Sequence, residues 1–123
     1  MCPATDFRTY PTLPNVVAGP MKGLDYGLSL EELDRRAAEF NPIDNLAPLA
    51  KADVKILHLH GDEDYLVPTG ANSTELARRY RKLGGRAEIV LLKGLGAERA
   101  NSRCHDGPEL YESAALLKFL LAD

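Results

Sequence analysis

The chain has no tryptophan, only two cysteines in 123 residues, and no apolar run near the roughly 20 residues that a membrane-spanning helix needs. Two cysteines are too few for a disulfide framework. We expect free thiols, with one bridge between Cys2 and Cys104 as the alternative. The net charge of −3 provides no attraction to nucleic acid or to anionic membranes. No signal peptide opens the chain, so we expect a cytoplasmic protein. We expect neither nucleic acid nor a membrane as a partner.

The composition is that of one ordinary globular domain, with 45% hydrophobic and 27% charged residues. A chain of this length can bury a modest core. Residues 1–28 hold four of the eight prolines and are expected to form an irregular arm. Short helices are expected over residues 29–51, and a β-α-β-α core over residues 52–123.

Two segments are typical of buried parallel strands. Residues 54–60 and 87–92 carry apolar side chains at both odd and even positions. This pattern indicates burial on both faces, as in a parallel sheet covered by helices. The connection between the two strands should be right-handed. The predicted fold class is therefore α/β.

Capping signals and apolar spacing predict the helices, at residues 30–40, 45–51, 72–83 and 109–121. Ser29 and Glu32 form a capping-box pattern at the start of the first helix. Asn72 or Ser73 is the expected N-cap of the third helix. The predicted inward positions are Leu76, Tyr80 and Leu83 in the third helix, and Leu110, Ala114, Leu117 and Leu121 in the last.

An acidic loop follows the first strand, with the sequence His-Gly-Asp-Glu-Asp-Tyr-Leu-Val-Pro at residues 60–68. The carboxyl ends of parallel strands are where open α/β sheets bind ligands and carry out chemistry. Pro68 closes the loop because its ring fixes φ and drives the preceding residue out of the helical region. The segment is therefore a candidate functional site.

This pattern, His-Gly-Asp-x-Asp-x-x-Val-Pro, resembles the acid-bearing loop of the α/β-hydrolase superfamily, in its acetyl-xylan-esterase-like and prolyl-oligopeptidase-like serine hydrolases. The resemblance extends over the chain but corresponds only to the last half of such an enzyme, and it implies a partial α/β-hydrolase fold. It also implies that Asp64 is the acid that orients the histidine of a catalytic triad. The alternative for Asp64 is an Asx turn or a helix cap. Asp62 and Glu63 are expected at the surface.

The resemblance places the triad histidine directly after a Gly-x-Gly pattern, where this chain has Ala97. The only histidine further along is His105, which is the candidate general base; an exposed loop histidine is the alternative. No Gly-x-Ser-x-Gly elbow is present to hold a nucleophilic serine. Cys2 could supply a nucleophilic thiol in place of the serine, but it has no elbow to keep that thiol exposed. The chain alone is therefore expected to be inactive.

His58 and His60 share one face of the first strand, so together they could coordinate a metal ion. The segment also resembles the His-x-His-x-Asp-His motif of metallo-β-lactamase-like hydrolases, but Glu63 stands where that motif ends in histidine. We favour packed, hydrogen-bonded histidines, and we expect neither a metal nor a cofactor.

Two functions from different classes remain open. The first is a serine-hydrolase-like C-terminal portion, esterase or peptidase, whose serine comes from an N-terminal half or from another chain. The second is a non-catalytic α/β module that self-associates, since two strands alone leave their edges unpaired. A homodimer is expected in either case. As a loop carboxylate at a vacant site, Asp64 is expected to change stability by about 0.5 kcal/mol or less when replaced by Asn.

Overall fold

The computed structural model describes residues 4–6, 9, 27–64, 67–94, 97–98, 101–102 and 114–122, with the backbone alone at 30, 33, 34, 97, 98, 101 and 102. The α-helices are α1 Leu30–Arg35, α2 Ala37–Phe40, α3 Ala47–Lys51, α4 Glu75–Lys82 and α5 Ala114–Leu121. A 3-10 helix covers Pro42–Asp44 and a π-helical turn covers Gly70–Thr74. The strands are β1 Ile56–Gly61, β2 Ala87–Leu92, β3 Ala97–Glu98 and β4 Asn101–Ser102.

Strands β1 and β2 pair in parallel, with a register that runs from Ile56 opposite Ala87 to Gly61 opposite Leu92. The two predicted strands and the α/β-like class are thereby confirmed, although β1 begins two residues later than expected. Strands β3 and β4 form a short antiparallel pair, with Ala97 opposite Ser102 and Glu98 opposite Asn101.

The capping box at the start of α1 is confirmed. The Ser29 N–H donates to Glu32 Oε2 (3.1 Å), and the Glu32 N–H donates to Ser29 Oγ (3.2 Å). The helix predicted over residues 30–40 is nevertheless two helices, because Arg36 leaves helical geometry with φ −101° and ψ 11°. Asn41, with ψ 119°, ends the second one, as expected for a residue that precedes a proline.

The core lies between α4, the 3-10 helix and the sheet. Its buried members are Ile43, Leu46, Leu76, Ala77, Tyr80 and Ala87. The fully buried Tyr80 donates its hydroxyl proton to the carbonyl oxygen of Val54 (2.6 Å). The predicted burial of Leu76 and Tyr80 is confirmed. The prediction for Leu83 is wrong: this residue is 50% exposed, because α4 ends before it and it occupies the C-cap.

Two consecutive glycines end α4. Gly84 has a φ of +84°, in the left-handed region that favours glycine, and its N–H donates to the Arg81 carbonyl (2.9 Å). The Gly85 N–H donates to the Tyr80 carbonyl (3.0 Å). A Cβ at residue 85 would lie 2.5 Å from Tyr80 Cζ, so the ring packs directly on the glycine backbone.

The predicted last helix is present as α5, but the side chains assigned to its inward face are not buried. Ala114, Leu117 and Leu121 are exposed, Leu117 by 57% and Leu121 by 82%, and Leu110 lies outside the described residues. The parallel sheet has two strands among the described residues, and Leu117 and Leu121 remain largely exposed beside it. Where the chain is described, no helix combines the length and apolarity needed to cross a membrane.

Candidate functional site

The loops that follow β1 and β2 are joined at the carboxyl edge of the sheet. The Asp62 N–H donates to the Leu92 carbonyl (3.2 Å), and the Gly94 N–H donates to Asp62 Oδ1 (2.8 Å). Asp62 and Glu63 are exposed, as predicted. We call residues 62–68 the acid turn; residues 65 and 66 within it lie outside the described part.

Asp64 is the buried acid of this turn. Its Oδ1 accepts the Val67 N–H (2.9 Å), which forms the Asx-type turn that the sequence left open as an alternative. Its Oδ2 lies 3.6 Å from His60 Nε2, and both side chains are fully buried. Asp64 is therefore not a surface carboxylate, and the expectation that its replacement is almost neutral loses its physical basis.

His58, His60 and Ser73 form a histidine cluster between β1 and the π-helical turn. His58 Nδ1 lies 2.9 Å from Ser73 Oγ, and His60 Nδ1 lies 2.6 Å from the same oxygen. His60 Nε2 lies 2.9 Å from the Val67 carbonyl oxygen. Both histidines are therefore packed and hydrogen-bonded at their Nδ1 atoms.

The contacts fix the order of protons through the histidine cluster. A carbonyl oxygen can only accept, so His60 carries its proton on Nε2 and donates it to Val67. The Nδ1 of this neutral ring must then accept the hydroxyl proton of Ser73. The Ser73 oxygen in turn accepts from Nδ1–H of His58. With His60 neutral, the bonds run in one direction, from His58 through Ser73 to His60 and on to the Val67 carbonyl.

Burial keeps both rings neutral. Desolvation, followed by the nearby His60, lowers the pKa of His58 to about 4. Desolvation also lowers the pKa of His60, against the opposing effects of the Val67 carbonyl and the Asp64 carboxylate. The lowered pKa of His60 therefore disfavours an ion pair between its ring and Asp64.

Ser73, His60 and Asp64 are the residue types of a catalytic triad, yet their arrangement does not suit acyl transfer. Ser73 is 0% exposed and lies in a π-helical turn, so an acyl substrate cannot reach its hydroxyl. The Nδ1 atoms of both histidines are engaged by that hydroxyl. The described residues also contain no group of three or more side chains suited to hold a metal ion.

Asn72 connects the acid turn to the N-terminal segment. Its Oδ1 accepts the N–H groups of Thr5 (2.8 Å) and Asp6 (3.0 Å). Its Nδ2 donates to Thr9 Oγ1 (3.0 Å) and to the Pro68 carbonyl (3.1 Å). The fully buried Asn72 side chain therefore bonds at once to the start of the chain and to the end of the acid turn.

The sequence assigned Asn72 and Ser73 to a helix N-cap, and this prediction is wrong. Both lie inside the π-helical turn, and neither residue makes a side-chain cap bond to it. Their side chains bond to distant segments instead, which no local pattern reveals. The signal available was two adjacent polar residues just before an amphipathic helix, and it fits a cap equally well.

Several candidate residues cannot be placed relative to the acid turn. His105, Cys2 and Cys104 lie outside the described residues. Ala97, which occupies the position where the resemblance expects a histidine, begins β3. The structure therefore brings Asp64 together with His60 and does not test its pairing with His105.

No family model, curated protein or solved structure matched this chain.

Proposed function

We propose that the chain contributes the acid of a serine-hydrolase-type site, with Asp64 as the carboxylate and His105 as the general base. The observation that carries this proposal is the position of Asp64: a fully buried carboxylate just past the carboxyl end of a parallel strand, with Oδ1 held by the Val67 N–H (2.9 Å). A triad acid must be held in this way to keep its histidine in one orientation.

In the proposed mechanism, Asp64 accepts a hydrogen bond from one ring nitrogen of His105 and stabilises the imidazolium that forms. His105 removes the proton of an attacking serine and later returns it to the leaving group. The acyl group passes first to the serine and then to water or an alcohol. The serine comes from a preceding segment of a longer chain or from another chain, since this sequence has no elbow for it.

The contacts of Asp64 are compatible with this role. The Val67 N–H bonds to Oδ1 of Asp64 and so helps to fix the orientation of the carboxylate. A buried carboxylate also interacts more strongly with a developing imidazolium than an exposed one does, because water screens it less. The lowered pKa of His60 disfavours a positive charge on that ring beside Asp64.

The direct test is to titrate the three imidazoles by NMR in the whole chain. If Asp64 faces His105, the carboxylate should raise the pKa of His105 above its ordinary value of about 6.5. Asp64→Asn keeps the oxygen that accepts from Val67 but removes the charge, so it should return the pKa of His105 toward that ordinary value. The resonance of His105 is assigned with His105→Gln.

The matched control is Glu63→Gln, which removes an exposed carboxylate from the adjacent position. It should leave the titration of His105 unchanged. An ordinary pKa for His105 that does not respond to Asp64→Asn would show that Asp64 is a turn residue and that the proposed pair does not form.

The isolated chain should hydrolyse p-nitrophenyl acetate no faster than an unfolded control, because it has no serine elbow. A fluorophosphonate probe should likewise label no serine. Turnover that is lost on Ser102→Ala or Cys2→Ala would mean that this chain supplies its own nucleophile, and the proposal of a separate source would be wrong.

The second candidate function is self-association as an α/β module, and exposed leucines support it. Leu117, Leu120 and Leu121 of α5 are 57%, 67% and 82% exposed, and Leu91 of β2 is 52% exposed. Apolar patches and open strand edges both favour assembly. A two-fold homodimer that buries more than about 1,000 Å² would cover them.

Sedimentation at low micromolar concentration tests this second function. The wild-type chain should be a dimer, and Leu120→Lys should dissociate it by placing a charge in the apolar patch. Leu83→Lys is the matched control, since Leu83 is also exposed, by 50%, but lies at the end of α4. A monomer at all concentrations, or equal effects of both substitutions, would exclude α5 as the interface.

A further inference from the structure

The N-terminal segment of the chain packs against residues almost seventy positions away. Thr5 and Asp6, near the start of the chain, are buried, with 5% and 7% exposed. The Thr5 carbonyl accepts the Ile43 N–H (3.0 Å), and Asp6 Oδ1 accepts from Asn41 Nδ2 (2.9 Å). We call residues 4–6 and 9 the N-terminal clip.

From these contacts we infer that Asn72 is a positioning residue through which docking of the N-terminal clip holds the acid turn in place. Only the consequence of this inference for catalysis rests on the proposed role of Asp64. The coupling between clip and turn is a property of the described hydrogen bonds and is measurable by itself.

The first step is the fixed orientation of the Asn72 carboxamide. The N–H groups of Thr5 and Asp6 are donors, so the atom that faces both of them must be Oδ1. The amide nitrogen then faces the other way, toward Thr9 Oγ1 and the Pro68 carbonyl. Because the carboxamide is planar, a single orientation of Asn72 makes both the bonds to the clip and the bond to Pro68.

The second step is the short path from Pro68 to Asp64. Val67, the residue before Pro68, donates its N–H to Asp64 Oδ1 (2.9 Å), and its carbonyl accepts from His60 Nε2 (2.9 Å). Asn72 therefore holds Pro68, the residue next to Val67, and Val67 makes the contacts with both Asp64 and His60. When the clip leaves, the buried Oδ1 of Asn72 loses two donors, and a rearrangement that satisfies it would weaken the bond to Pro68.

Coupling of this kind is reciprocal: if the clip stabilises the acid turn, the acid turn stabilises the clip by the same factor. Hydrogen exchange measures the opening of both the clip and the acid turn. The Thr5 and Asp6 amides report the clip, and the Val67 amide reports the turn through its bond to Asp64. Residues that open together as one unit should share one opening free energy and one denaturant dependence.

The test measures amide exchange of the full chain with a matched pair of substitutions. Thr5→Pro removes the N–H that bonds to Asn72, whereas Thr5→Val keeps it. In Thr5→Pro, we expect the protection of the Asp6 and Val67 amides to fall about tenfold, which corresponds to one lost hydrogen bond. Amides of the β1–β2 ladder, such as those of Ile56 and Val90, should keep their protection, and Thr5→Val should change neither site.

A spectroscopic signature separates positioning from general loosening. The Nε2–H resonance of His60 reports its bond to the Val67 carbonyl. It should shift in Thr5→Pro and stay at its wild-type position in Thr5→Val. Wild-type protection of Val67 in Thr5→Pro, with only Asp6 exposed to exchange, would overturn the inference.

Thr5→Pro could also unfold the chain, which loss of protection at Ile56 and Val90 would reveal. The wild-type chain then decides the question in low denaturant. A common opening of Thr5, Asp6 and Val67 supports the clip, whereas separate openings with different denaturant dependence contradict it. If the coupling holds while Asp64→Asn leaves the titration of His105 unchanged, the clip is real and the hydrolase role of Asp64 is not.

Discussion

Helices α4 and α5 are both eight residues long, but the mostly charged helix has buried side chains and the mostly apolar helix has none. Five of the eight residues of α4 are charged, yet Leu76, Ala77 and Tyr80 are buried. Seven of the eight residues of α5 are apolar, yet none is buried. The comparison teaches that the arrangement of apolar side chains around a helix, and the presence of a surface to receive them, matter more than their number.

The charges of α4 also stabilise its exposed side. Glu75 accepts from Arg78 (2.6 Å) and Arg79 (2.8 Å), and these bonds lower the pKa of Glu75 to about 2. Arg79 continues to Asp44 (2.8 Å) on the 3-10 helix. Helix α5 is apolar on several sides, which is the pattern of a helix that needs cover on more than one side.

The largest expected effect comes from a matched pair of leucines. Leu76→Ala should lower the free energy of unfolding by about 3 kcal/mol, because Leu76 is 4% exposed and its removal leaves a cavity. Leu117→Ala should lower it by about 0.5 kcal/mol or less, since Leu117 is 57% exposed. Urea titration of both variants at a concentration where the chain is monomeric is the measurement.

Equal losses in the two variants would show that α5 is covered in solution. A loss in Leu117→Ala that grows with protein concentration would place that cover on a second copy, because association then contributes to stability. Either result would change the comparison between the helices.

Acid should weaken the contact between His58 and Ser73, which lies just before α4. The folded chain holds the pKa of His58 near 4, while the unfolded chain has an ordinary value near 6.5. The unfolded state therefore binds more protons between these values, so stability is full above pH 6.5 and falls as the pH drops toward 4. Allowing for the partial exposure of His58, we expect a loss of about 1–2 kcal/mol.

Thermal unfolding of wild type and His58→Gln between pH 7 and pH 4 measures this loss. The variant should show a flatter profile over that window, and His105→Gln serves as the control that removes the histidine outside the cluster. An unchanged slope in His58→Gln would mean that other groups cause the acid sensitivity.

Tyr80→Phe should cost about 1 kcal/mol, the usual value of one hydrogen bond. The substitution removes the bond from the hydroxyl to the Val54 carbonyl and leaves the ring on Gly85. Chemical denaturation compared with the wild type gives the value. A loss of several kcal/mol would show that this bond also sets the packing of α4 on the sheet.

The smallest effect concerns Thr5, whose burial contrasts with the exposure of α5 at the other end of the chain. Its hydroxyl is buried and has no hydrogen-bond partner among the described residues. Thr5→Val replaces that hydroxyl by a methyl group of similar shape and should raise stability by about 0.5 kcal/mol. A clear loss of stability in differential scanning calorimetry would mean that the hydroxyl does make a bond.

The parts of the fold that the sequence predicted are those that local chemistry determines. The apolar run before Asp62 predicted β1, and the Ser29–Glu32 pair predicted the start of α1. The carboxyl-edge position of Asp64 was also predictable, because a parallel strand must end where its apolar run ends. Its burial was not, since burial depends on His60 and Val67 closing around it.

The misses share one cause, which is that long-range contacts decide them. Asn72 and Ser73 fit a helix cap by every local rule, but one binds the N-terminal clip and the other binds two histidines of β1. The positions assigned to the inward face of α5 follow from spacing alone, and none of them is buried among the described residues. Spacing reports which side of a helix is apolar, and it cannot report whether a neighbour is present.

The two glycines after α4 have a consequence for sequence tolerance. At residue 84 the restriction is the backbone, since a side chain would meet nothing within 4 Å but would have to adopt a φ of +84°. Asparagine, which enters that region most readily, is the substitution that a mutational scan should accept there. At residue 85 the restriction is space, because any Cβ collides with the ring of Tyr80. A scan should reject every residue at 85 until Tyr80 is replaced by a smaller side chain, so position 85 can vary only together with position 80.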